Sequence, residues 1–109
     1  MDNRSKTRFR ISPTVMCEDL NEKKPFHTVI RDMSHGGIKL TTEDFIETGH
    51  DIQFDINLVE KRVRGVGKVR WCDKLEHNGR YNVGIEFSEI DDGDKDSLED
   101  FINKIVMFS

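Results

Sequence analysis

The sequence has no long apolar run and is poor in cysteine. Its apolar stretches fall far short of the ~20 residues that a membrane-spanning helix requires, so we expect no membrane insertion. Cys17 and Cys72 form no C-x-x-C motif and are too few for a disulfide framework, which favours free thiols in a reducing cytoplasm. The first residues lead into no apolar segment, so we expect no secretion signal and a cytoplasmic location.

Motifs for catalysis and metal binding are also missing. The sequence contains neither a P-loop nor a G-x-S-x-G motif, and the histidines at positions 27, 35, 50 and 77 lack the spacing of metal ligands. Paired carboxylates such as Glu43-Asp44 lie in polar segments and lack the apolar surroundings typical of catalytic acids. We therefore predict a protein that is not an enzyme and that needs no metal or cofactor.

Charge is distributed unevenly along the chain. The net charge of the 109 residues is -4, which argues against a general nucleic-acid-binding surface and against DNA as a partner. The first ten residues nevertheless carry four cations, namely Arg4, Lys6, Arg8 and Arg10. A cationic arm (residues 1–10) on an acidic body indicates a local site for an anion.

Alternating apolar residues predict a mostly β protein. The pattern places strands at 9–18, 26–33, 38–42, 51–58, 62–73 and 81–87, and Asn78-Gly79 is a strong hairpin signal before the last of them. The fifth strand has one face made of Val63, Gly65, Gly67, Val69 and Trp71. Trp71 is therefore expected to lie partly in the core, and the paired glycines leave room for a bulky neighbour.

An amphipathic helix is predicted to follow the strands at about 94–107. Its apolar residues recur at the spacing of one helical face: Leu98, Phe101, Ile102, Ile105 and Val106. Five or six antiparallel strands and one helix make a small β-barrel or a curled sheet, whose open end the helix can cover. We predict one such domain over residues 9–109, preceded by the flexible arm at 1–10.

The segment from Asp32 to Gly37 combines hydrogen-bonding side chains with two glycines. An ordinary turn uses the same residue types, because Asp and Ser bond to the local backbone and glycine adopts positive φ. A ligand that contacted both this turn and the cationic arm would be anionic and would also carry hydrogen-bond donors. A guanine nucleotide meets both requirements, since its phosphates and O6/N7 edge accept from arginine while N1–H and N2–H donate to Asp or Ser.

Taken together, these segments resemble the PilZ domain family over nearly the whole chain. The resemblance rests on the arginine segment, Asp32-x-Ser34-x-x-Gly37, Val69-Arg70-Trp71, Val83-Gly84-Ile85-Glu86-Phe87 and the closing helix. It implies a six-stranded antiparallel β-barrel with a C-terminal α-helix. It also implies a receptor for cyclic di-GMP, the bacterial second messenger.

The resemblance further implies which residues of the turn and strand bind the ligand. Asp32 and Ser34 would accept hydrogen bonds from guanine, and Gly37, preceded by Gly36, would allow close approach of the backbone. Trp71 would pack on a base.

The arginines of an R-x-x-x-R segment would clamp guanine and phosphate, and two registers are open. Arg4 with Arg8 matches R-x-x-x-R literally, whereas Lys6 with Arg10 matches the position directly before Ile11 that starts the strand. Lysine cannot form the planar fork of arginine. A double arginine associated with a stacked nucleotide pair is absent before this segment, so the stoichiometry stays open.

Three functions follow from these observations. The first is a non-catalytic cyclic di-GMP receptor in which the ligand orders the arm and changes a surface that a downstream protein partner recognises. The second is a PilZ-like interaction module of motility or pilus machinery that binds no nucleotide. The third is a β-barrel for single-stranded nucleic acid, using Trp71, Phe9 and the arm, against which the acidic body argues. The oligomeric state is left open.

Overall fold

The computed structural model of the chain describes residues 13–58 and 61–107. Within them, six strands and one helix follow in chain order: β1 (Thr14–Asp19), β2 (Lys24–Met33), β3 (Gly37–Thr42), β4 (Asp51–Asn57), β5 (Arg62–Lys74), β6 (Tyr81–Ile90) and α1 (Asp94–Met107). The strands are antiparallel in the order β1-β2-β3-β6-β5-β4, and pairing of β1 with β4 closes the barrel. This confirms the predicted six-stranded barrel with its C-terminal helix.

Alternate residues of each strand fill the interior of the barrel. In β4 the side chains of Ile52, Phe54 and Ile56 are buried, as the alternation predicts, and the intervening polar residues are outside. Gly65 and Gly67 of β5 also face inward, where an added Cβ would overlap Phe54 and Ile85 respectively. The room that the two glycines leave on β5 is therefore occupied by core side chains.

Helix α1 packs its apolar side against one end of the barrel. Leu98 and Ile102 are buried, and Phe101 packs against the core. The Asp94 carboxylate accepts a hydrogen bond from the backbone N–H of Arg64 at 2.9 Å, which fixes the start of the helix beside the start of β5. The predicted stripe positions Ile105 and Val106 lie outside the described side chains. Within the described residues, no helix is long and apolar enough to cross a membrane.

Most strand boundaries lie within one residue of the prediction, but the last strand ends at Ile90 rather than at 87, and the first two strands begin at other residues than predicted. The predicted first strand begins at residue 9, but residues 9–12 lie outside the described residues, and β1 begins at Thr14. The second strand begins at Lys24 rather than at 26, because Lys23 adopts a positive φ of 56° and the chain reverses earlier. Pro25 is tolerated in this extension because β2 pairs there with β1, whereas its pairing with β3 begins only at Ile30.

Candidate ligand-binding site

The end of β2 and the turn that follows it present the side chains of Asp32 and Ser34 to solvent. Asp32 Oδ1 accepts from the N–H of Met33 at 2.9 Å, and Ser34 Oγ accepts from the N–H of Gly36 at 3.3 Å. A backbone bond from the Ser34 N–H to the Gly37 carbonyl closes the turn. Asp32 Oδ2 has no hydrogen-bond partner in the described part of the chain, so the carboxylate retains capacity to accept from a ligand.

A β-bulge directs Asp32 outward. The pairing of β2 with β3 shifts between Ile30 and Asp32, so Arg31 and Asp32 are both exposed although they are consecutive in the strand. With strict alternation, Asp32 would have the same orientation as the buried Ile30. The bulge thus re-aims a carboxylate from the core side to the outer surface.

A bulge in β5 directs Trp71 outward, in contrast to the prediction from the sequence. The pairing of β5 with β6 shifts between Val69 and Trp71, so Arg70 and Trp71 both face outward. The expectation that Trp71 shares the core face of Val69 was therefore wrong, because one extra residue reverses the alternation. Trp71 is exposed to 40% and is available to a ligand.

The indole ring of Trp71 rests on the backbone of Gly84, its cross-strand neighbour on β6. A Cβ added at Gly84 would overlap the Trp71 ring atoms Cε2, Nε1 and Cζ2. The absence of a side chain at position 84 therefore lets the ring lie flat against the barrel wall.

These residues line one open depression of about 690 Å³ on the outer wall, which we call the ligand groove. Its polar and aromatic lining comes from β2, β3, β5, β6 and the β2–β3 turn, and consists of Asp32, Ser34, Lys39, Arg70, Trp71 and Glu86. Arg70 Nε donates to Glu86 Oε1 at 2.5 Å. Within this lining, Lys39 and Arg70 offset the charges of Asp32 and Glu86.

The two glycines of the turn have different surroundings. At Gly37, the position of a Cβ is taken by the backbone of β6 at Ile85, so the close approach at Gly37 is made by a strand of the barrel. At Gly36 nothing lies within 4 Å of an added Cβ, and this residue borders the ligand groove. Neither has positive φ, so the left-handed backbone of an ordinary glycine turn is not the reason for either.

The predicted cationic residues Arg4, Lys6, Arg8 and Arg10 lie outside the described residues. The point from which they extend is defined, because the Pro13 carbonyl accepts from the N–H of Ile30 at 2.8 Å, two residues before Asp32. Arg10 lies only three positions before Pro13 in the sequence, a distance that an extended chain spans with at most ~11 Å. The arm is therefore attached at the end of the barrel that carries the β2–β3 turn.

Lys39, Arg70, Gly84 and Glu86 belong to the groove but were not predicted as site residues. Regular alternation would point Arg70 away from Trp71, and the bulge brings the two to the same surface. Gly84 and Glu86 alternate with the buried Val83 and Ile85, so their outward direction was available from the period-two pattern of this strand.

The sequence matches the family model of the PilZ domain over residues 2–104. The chain belongs to the PilZ family. PilZ domains are non-catalytic receptor domains for cyclic di-GMP. No curated relative matches the chain closely enough to add to this assignment.

Solved structures share the fold of this PilZ domain. The Bacillus subtilis inhibitor of motility MotI/DgrA matches with a TM-score of 0.76 and 19% identity over 89% of this chain and 48% of its own. MrkH of K. pneumonia in its apo state matches with a TM-score of 0.75 and 15% identity, over 90% and 48% respectively. The structure of MrkH from a P2(1) crystal matches with a TM-score of 0.76 and 16% identity, over 92% of this chain and 47% of its own. At these identities the similarity shows the fold, and the chain spans about half the length of these proteins.

The opposite end of the PilZ barrel carries a second depression of about 680 Å³ that contains none of the predicted site residues. It is bordered by the Asp19–His50 pair, whose Oδ2 and Nδ1 atoms lie 2.9 Å apart. The described residues contain no group of three or more His, Cys, Asp or Glu side chains arranged to hold a metal ion.

Proposed function

We propose that this PilZ domain is a cyclic di-GMP receptor that holds its ligand between the cationic arm and the ligand groove. The observation that carries the proposal is the pair of bulges. They turn Asp32 and Trp71 from the core side to one outer surface, beside the point from which the arm extends. Each of these two bulges exposes a side chain that regular alternation would bury.

Each side chain of the groove has a role that guanine chemistry can use. Asp32 and Ser34 accept from N1–H and N2–H of guanine, and Trp71 offers a ring face to a base, a contact worth ~1–3 kcal/mol. Because Lys39 and Arg70 are offset by Asp32 and Glu86, the described lining supplies no net positive charge for two phosphates. The neutralising charge therefore comes from the arm, as Arg4 with Arg8 or as Lys6 with Arg10.

Ligand binding then becomes a signal through the arm. Contacts that exist only in the bound state shift the arm toward one ordered position over the groove, and a downstream protein recognises the new surface. The β2–β3 turn already touches the helix, since His35 Nε2 and Glu99 Oε2 lie 3.5 Å apart. A movement of the turn would therefore also change this contact with α1.

The proposal is tested by calorimetric titration of cyclic di-GMP into wild type and Asp32→Ala. Loss of a hydrogen bond to a charged group costs ~1.5–3 kcal/mol, so we expect affinity to fall roughly tenfold to a hundredfold. Asp44→Ala is the matched control, because Asp44 is an exposed carboxylate at the opposite end of the barrel. It should bind like wild type.

Single variants of the arm identify its register. Loss in Arg10→Ala but not in Arg8→Ala assigns Lys6 with Arg10, and the reverse assigns Arg4 with Arg8. Affinity that is unchanged in both Asp32→Ala and Arg10→Ala would rule out this site. A wild type that shows neither heat nor thermal stabilisation would instead identify an interaction module that binds no nucleotide.

A further inference from the structure

An ion pair belongs to the lining of the ligand groove. Arg70 of β5 donates from Nε to Oε1 of Glu86 on β6, and both residues line the groove beside Trp71. The contact occupies the Nε–H of the guanidinium, one of the five N–H donors that arginine offers to an anion. The groove therefore contains a cation whose acceptor is a neighbouring side chain.

The ion pair between Arg70 and Glu86 can be broken at little cost in free energy. The side chains of Arg70 and Glu86 are exposed to 56% and 55%, and an exposed ion pair contributes little net free energy because water and salt screen it. A phosphate, or the planar O6/N7 edge of guanine, offers arginine two acceptors at once, whereas the contact with Glu86 is made through one nitrogen. Displacing Glu86 from Arg70 thus costs little compared with the contact that replaces it.

We infer that Arg70 is a ligand-binding residue and that Glu86 competes with the ligand for it. In the free protein Glu86 occupies the guanidinium and places a carboxylate in the path of an anion. In the bound protein Arg70 turns to the ligand and Glu86 is released to solvent. The inference rests on the proposed function, and it makes the charge at position 86 a determinant of affinity for cyclic di-GMP.

Two single variants and their combination test the exchange by calorimetric titration at physiological salt. Arg70→Ala should weaken binding about tenfold or more, because the bidentate contact is lost. Glu86→Gln should tighten binding several-fold, because the competing carboxylate is gone. In the Arg70→Ala background, Glu86→Gln should give a clearly smaller gain, since no guanidinium remains to be released.

Glu89→Gln is the matched control for charge alone. Glu89 lies on the same strand and is exposed, but it borders a different depression from the ligand groove. Its replacement removes one negative charge from the protein and should change affinity much less than Glu86→Gln. An equal gain in affinity from both variants would show that Glu86 acts only through its charge at long range, and it would contradict competition for Arg70.

The remaining outcomes separate this inference from the proposed function. If wild type binds and Asp32→Ala loses affinity while Arg70→Ala binds like wild type, the groove is correct and Arg70 is not part of it. If Glu86→Gln weakens binding, Glu86 is itself an acceptor for guanine and the competition is wrong. Because both side chains are more than half exposed, the variants are expected to fold, and thermal unfolding verifies this.

Discussion

At the scale of single residues, glycines decide which surfaces can approach each other. Gly84 allows the Trp71 ring to lie on β6, and Gly37 allows β6 to approach the β2–β3 turn. Gly36 differs, because an added side chain would meet open space. Gly37 and Gly84 therefore permit close packing, whereas Gly36 does not, and substitutions by alanine should have different effects at these positions.

Gly84→Ala should prevent the Trp71 ring from packing against the backbone of β6. The added methyl group overlaps three ring atoms, so the indole must swing away from the wall or the strands must separate. Overpacking of this kind costs ~1–3 kcal/mol of stability. We expect a shift in tryptophan fluorescence and weaker binding of cyclic di-GMP.

Gly36→Ala is the matched control for that change, since it also borders the groove but meets no atom within 4 Å. Its fluorescence and stability should stay close to those of wild type. An unchanged tryptophan spectrum in Gly84→Ala would contradict the described position of the ring.

At the scale of elements, the barrel end opposite the ligand groove is held together by Asp19. One carboxylate oxygen accepts from the backbone N–H groups of Asn21 and Glu22 and so closes the β1–β2 turn. The other bonds to His50, directly before β4. A single buried carboxylate thus joins two loops.

This pair makes stability depend on pH. The hydrogen bond to Asp19 raises the pKa of His50 above its ordinary value of 6.5, against the opposing effect of burial, and Glu47 and Glu22 add to the increase. A raised pKa means that the folded state binds the proton more tightly than the unfolded state does. The stabilisation is therefore complete below about pH 6.5 and is lost as pH rises through the higher pKa of the folded protein.

Urea unfolding at pH 6 and pH 8.5 measures this effect. The free energy of unfolding of wild type should decrease more over this interval than that of His50→Gln. His77→Gln is the control, because it removes a strongly exposed histidine from a turn and should retain the wild-type dependence. Equal pH dependence in wild type and His50→Gln would show that the pair adds no stability.

At the scale of the whole molecule, closure of the barrel protects the core from solvent. Cys17 of β1 faces inward, and its strand neighbours are Phe26 on β2 and Phe54 on β4. Burial raises the pKa of its thiol to about 12. Both cysteines are free, as the sequence predicts, but Cys72 is only partly buried.

Cys17 is consequently a reporter of global opening. Because the thiolate is the reactive form, Cys17 in a Cys72→Ser variant should react with a disulfide reagent at pH 8 only as fast as the barrel opens. Adding urea should accelerate the reaction steeply. The Cys17→Ser variant keeps Cys72 and should react without this delay. Rapid labelling of Cys17 in the native protein would contradict a closed barrel.

The sequence by itself determined the class of the molecule and the position of its elements. The alternation in Asp51–Asn57, the apolar stripe of α1 and the Asn78-Gly79 turn are local patterns, and each corresponds to an element of the structure. The motif around Asp32 marked one side of the ligand groove for the same reason.

Only the tertiary structure decided what the groove contains. A bulge changes the direction of side chains by one residue, and its location depends on the register of a partner strand that is distant in sequence. Strict alternation therefore placed Trp71 in the core and separated it from Arg70. Pairing of β5 with β6 brought Arg70, Trp71, Gly84 and Glu86 onto one surface, and that pairing is a property of the closed barrel.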